Sequence, residues 1–83
     1  MHIKGIVCGY HAQMPRFAIR TDCGYSVVDV EVGQRRMHDQ VAGELDGHGQ
    51  TTLQNETTGE DVEVCVEAIQ ATREGAASLL RSR

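Results

Sequence analysis

Cys8 and His11, two residues apart in Cys8-Gly9-Tyr10-His11, are the pair in this chain best spaced for chemistry, because a thiolate and an imidazole so placed can enter one zinc coordination sphere. A complete site needs two more ligands. Cys23 and His38 are the candidates, yet no second Cys-x2-Cys or Cys-x2-His pair exists, so neither a metal nor another cofactor is expected. The plainer reading makes Cys8, if inward, a small core hydrophobe and His11 a loop residue. Covalent or phosphoryl-transfer chemistry has still less support: a Gly-x-Ser-x-Gly elbow, a Walker-type loop, a His-Glu-x-x-His helix and a dinucleotide fingerprint are all missing. No catalytic residue is assigned, and the chain is read as a non-enzyme.

A second constellation is cationic and aromatic. Lys4, Arg16, Arg20, Arg35 and Arg36, with Tyr10 and Tyr25 at strand ends, could follow a phosphate backbone and stack bases, as single-strand binders do. Charge weighs against it. The chain carries −4 overall; residues 1–41 have five basic and four acidic side chains (+1), and residues 42–83 have three and eight (−5). A phosphate track needs several uncompensated cations, so nucleic acid is disfavoured, and the competing expectation is that Arg16 and Arg20 face the acids of the third strand, Asp29 and Glu31. The acids Asp46, Glu56, Glu60 and Asp61 match no EF-hand spacing, so residues 46–60 are expected to form a long solvated loop, with at most a short ribbon at 51–55.

The elements that must position these groups belong to one domain, because 83 residues leave no room for a second core. With 40% apolar and 24% charged residues the chain should fold as a soluble globular protein, and with 4% aromatics its core must be built from Val, Ile, Leu and Ala. Two-residue alternation marks strands over about 2–10, 16–22, 25–32, 40–46 and 61–69. In the second, Phe17, Ile19 and Thr21 share the core face and Arg16, Ala18 and Arg20 the solvent face; in the third, Ser26, Val28, Val30 and Val32 point inward and Tyr25, Val27, Asp29 and Glu31 outward. Asp22-Cys23-Gly24 signals a hairpin between them. Thr72 is a sound N-cap for a short helix over about 73–81, with Ala76, Ala77, Leu79 and Leu80 as its apolar stripe.

Five strands without interleaved helices imply a mainly β protein, a small antiparallel barrel with a C-terminal α-helix. The segment His38-Asp39-Gln40-Val41-Ala42-Gly43-Glu44-Leu45 resembles the turn-and-strand pattern of small bacterial-type barrels of the OB-fold or SH3-like kind, although the OB helix lies between strands three and four rather than at the end. The resemblance implies a fold and not a ligand.

The helix is expected to close the open end of the barrel as a lid, the alternative being that its stripe meets a partner. Were residues 62–66 an edge strand, they could form a homodimer ladder. Three cysteines and no span long enough to cross a bilayer suggest a reducing cytoplasm and no membrane. The expected function is a non-enzymatic binding or protein-interaction module of undetermined ligand, with a protein partner or homodimer; the alternative is a weak single-stranded nucleic-acid binder.

Overall fold

Alternating valines line the inside of a closed wall. The computed structural model describes residues 3–32, 39–45 and 47–81. Six antiparallel strands, β1 (Ile3–Tyr10), β2 (Arg16–Thr21), β3 (Gly24–Val32), β4 (Gln40–Gly43), β5 (Gly49–Asn55) and β6 (Glu60–Ala71), close in the order β1-β2-β3-β6-β5-β4, and α1 (Arg73–Arg81) follows. The chain is thus mainly β, a small closed barrel with one short C-terminal helix, with six strands where five were expected. The additional strand, β5, occupies the segment read as a long loop. Its one large apolar side chain, Leu53, is buried beside Val62 of β6, and β5 pairs with β6 from Gly49↔Val66 to Asn55↔Glu60.

Asn55 explains how so polar a segment can be built into the wall. It is fully buried, and its side chain is satisfied: the amide nitrogen donates to Asp39 Oδ2 at 2.8 Å, and Oδ1 accepts the Thr57 and Thr58 amides at 3.0 and 3.2 Å. A buried amide without these partners would cost about 1–3 kcal/mol. Apolar patterning carries no trace of a strand held this way.

The interior is tightly filled. Val7, Ile19, Val28, Leu53, Val64 and Val66 meet there at 1–2% exposure, and the remaining void is about 10 Å³, room for one water at most. Gly5 marks the closest approach of β1 and β2, since a Cβ there would collide with Ile19 Cγ2 and lie 2.8 Å from the Arg20 carbonyl oxygen. The expected hairpin joins β2 and β3 through Asp22 and Cys23. Thr21 Oγ1 accepts the Cys23 amide at 3.2 Å and donates to the Gly24 carbonyl at 2.9 Å, with Gly24 at φ 121°.

α1 does not cap an open end. It lies on the outer side of the wall, where Ala76 packs with Ala18 and Val27, the residues of β2 and β3 that alternation had assigned to solvent. A β-bulge in β6 makes this layer continuous: Val28 pairs with Val66 but Val27 with Ala68, and the extra residue, Glu67, turns Ala68 outward beneath the helix. Gln70, at φ 49°, lies in a second register shift between the Val27–Ala68 and Tyr25–Ala71 pairs, and beyond Ala71 Thr72 caps α1 by accepting the Gly75 amide on Oγ1 at 3.0 Å. Because β6 lies between β3 and β5, residues 62–66 are not an edge, and the homodimer ladder considered for them is not available.

Candidate binding groove

Position 8 is set by backbone irregularity. Val7 pairs with Ile19 and Gly9 with Ala18, so Cys8 is the extra residue of a bulge and its side chain is exposed on the outer wall rather than inward. Its thiol donates to the Ala18 carbonyl at 3.6 Å. Partial burial pushes the thiol's pKa up, and the neighbouring Arg20 guanidinium opposes that shift.

Cys8 opens onto a groove of about 380 Å³ between β1–β2 and α1. Gly9, Ala18, Ala76 and Leu80 give it apolar surface, while Tyr25, Arg20 and Arg73 also line it. Gly9 is what lets the helix come so near, because a Cβ there would stand 2.9 Å from Leu80 Cδ1. No carboxylate lines the groove among the described residues, and neither Arg20 nor Arg73 has an ion-pair partner among them.

Arg20 also borders a wider depression of about 570 Å³ with Lys4, Gly5, Thr21 and Gln40, but this one contains Asp22 and Glu56 as well. Lys4 Nζ lies 3.8 Å from Glu56 Oε1, with the lysine side chain 74% exposed, a contact too solvated to stabilise the fold much. Two of the expected phosphate-binding cations are therefore brought together, beside two acids.

Arg16 has a different role. Directly opposite Asp29 in the β2–β3 ladder, it donates from Nε to Oδ1 at 2.7 Å and from Nη2 to Oδ2 at 3.2 Å, and a third bond from Nη1 reaches the Leu79 carbonyl at 3.4 Å. The paired hydrogen bonds hold the Asp29 carboxyl below its ordinary range, against the opposing effect of its partial burial, and raise the guanidinium's own pKa. Arg16 thereby ties the last turn of α1 to the wall and is not displayed as a free cation. Tyr10 is 58% exposed and leans on Phe17, ring centroids 6.0 Å apart. Tyr25 lies partly buried beside α1, on the Ile6–Arg20 rung of the ladder rather than the Tyr10–Phe17 rung, so the two tyrosines do not form one stacking platform. Arg35 and Arg36 lie outside the described residues.

His11 is buried, and its Nδ1 accepts the Gln13 and Met14 amides at 3.0 and 3.1 Å, so that nitrogen shapes the loop after β1. Among the described residues no group of three or more His, Cys, Asp or Glu side chains is gathered to hold a metal ion, and no helix is long and apolar enough to cross a membrane.

Sequence reasoning missed Arg73 and the seat that brings the stripe residue Leu80 into the groove, and it left the outward direction of Cys8 open. A signal for the first two was present: Ala18, Tyr25 and Val27 are small or apolar on a face where a solvated strand carries charge, which marks a second covered layer.

No family model matches the chain, and no solved structure matches it significantly. Over 42 residues it is 40% identical to the centrosome-associated protein ALMS1 of Homo sapiens, a match covering 51% of this chain and 1% of that protein. So small a share of the relative assigns no family.

Proposed function

We propose that this barrel is a non-enzymatic protein-interaction module. The observation that carries the reading is the contrast between a filled interior and an open, half-apolar groove on the outer wall beside α1. A barrel that encloses a small ligand needs an internal cavity, and a void of about 10 Å³ leaves recognition to the surface. Closure removes edge strands, so a partner is met by side chains and not by strand addition. Three unpaired cysteines, two of them exposed, fit a reducing compartment such as the cytoplasm.

Single-stranded nucleic acid is the second reading, favoured by the shared position of Lys4 and Arg20 in one depression. Two measurements separate them. Random dodecapeptides displayed on phage and selected on the immobilised chain should converge on a motif. A labelled mixed-sequence single-stranded oligonucleotide should show no binding at low or at moderate salt. Failure of the selection together with salt-sensitive oligonucleotide binding overturns the module reading.

A further inference from the structure

We propose that the groove between α1 and the β1–β2 wall docks an acidic, leucine-bearing peptide segment of a partner protein. The inference rests on the interaction-module reading and names the partner's chemistry. Charge complementarity argues for it. Arg20 from β2 and Arg73 from the first turn of α1 border one groove, with no ion-pair partner and no lining carboxylate among the described residues, in a chain of net charge −4. Among the other described cations, Arg16 is held by Asp29, and Lys4 lies 3.8 Å from Glu56. Arginines flanking an apolar floor suit carboxylates that flank an apolar anchor.

The remaining surface of the groove suits the anchor. Gly9, Ala18, Ala76 and Ala77 are small, and Leu80 closes one side, so an aliphatic side chain can be covered while its neighbours reach the arginines. At about 380 Å³ the groove falls in the range of pockets that hold small ligands. A base-stacking ligand is less well served, since the one aromatic lining residue, Tyr25, is partly covered by α1. Cys8 lies in the same groove and supplies an internal reporter.

The probe is an acetylated, amidated hexapeptide alternating Leu and Glu, labelled with fluorescein and titrated against the full chain by anisotropy. Saturable binding that weakens with salt is expected, with at least tenfold loss in each of Arg20→Glu and Arg73→Glu. Both arginines are exposed, so the variants should keep the wild-type circular dichroism and melting temperature. The double reversal should instead bind a peptide alternating Leu and Lys. Saturating unlabelled Leu-Glu peptide should slow alkylation of Cys8 and leave Cys65 unaffected. Binding that ignores both charge reversals, or that protects Cys65 instead, overturns the groove while leaving an interaction module in place. No binding of this peptide by a chain that still binds phage-selected sequences overturns the acidic-partner chemistry alone; no binding of either kind overturns both.

Discussion

Two walls of the same barrel are built from the same alternating pattern and behave differently. Beneath α1, β2 and β3 are buried on both faces: Phe17, Ile19 and Val28 point inward, and Ala18 and Val27 point outward into a second apolar layer. Farther round the barrel, β5 and residues 60–66 of β6 are buried on one face only, and Gln50, Thr52, Gln54, Asp61 and Glu63 are exposed. The first wall carries the groove and its arginines. The second, with the adjoining end of β3, carries carboxylates, Glu31 and Glu63 bordering a shallow depression with Gln50, Thr51 and Thr52. An outward residue in a strand therefore has no fixed meaning until it is known what lies over it.

The sharpest way to break this comparison is to put a charge at matched outward positions. Val27→Asp should cost at least about 4 kcal/mol in urea denaturation, because a carboxylate would replace a fully buried side chain under α1 with no partner in place. Thr52→Lys on the exposed wall, opposite Glu63, should change stability by less than about 1 kcal/mol. Equal effects would mean that α1 does not cover the outer layer. Inside the barrel the walls share one core, so Leu53→Ala, although it lies on the polar β5, should cost about 3 kcal/mol, as for any large buried aliphatic residue.

Next in size is the link from wall to helix. Asp29→Ala leaves Arg16 largely covered without its carboxylate and should cost about 2 kcal/mol. The native pairing depresses the Asp29 pKa, so its contribution is fully present above the unfolded carboxylate value of about 3.9 and is lost as pH falls through the lower folded value. Acid unfolding of Asp29→Ala should lack that component; an unchanged acid limb would show that the pair adds nothing. Thr72→Ala should remove about 1 kcal/mol by uncapping α1.

The smallest effect is kinetic. Cys8 lies beside Arg20, whereas Cys65 lies among Glu67, Glu31 and Asp29, which add to the desolvation that raises its thiol pKa. Anionic iodoacetate, relative to neutral iodoacetamide, should therefore favour Cys8 over Cys65 by roughly threefold at low salt, the preference shrinking as salt screens the field. Identical ratios at the two sites would erase the electrostatic difference between the walls.

Much of this architecture was readable from residue order. The valines of β3 and β6 announce strands, Asp22-Cys23-Gly24 a hairpin and Thr72 a helix start, because each signal is local. β5 was hidden because Leu53 is its only large apolar side chain and its other buried anchor is Asn55, whose amide nitrogen is satisfied by Asp39, distant in the chain. The candidate site was readable only in part. Arg20 and Tyr25 were singled out and do border the groove, but Arg16 is tied to Asp29 and α1, Tyr10 lies on another rung, and Arg73 and Leu80 come from a helix whose seat could not be read from its own stripe.

By itself the order of residues determined that the chain alternates as strands, which side chains are fit to line an interior, and where one hairpin turns and one helix begins, since all of these follow from backbone sterics and neighbours a few residues away. Only the tertiary structure decided that a sixth strand, β5, completes the barrel, that the helix lies against the outer wall, and that Arg20, Arg73 and Cys8 border one groove. Those outcomes depend on bulges at Cys8 and Glu67 that shift the strand faces, and on long-range pairing that alternation alone leaves open.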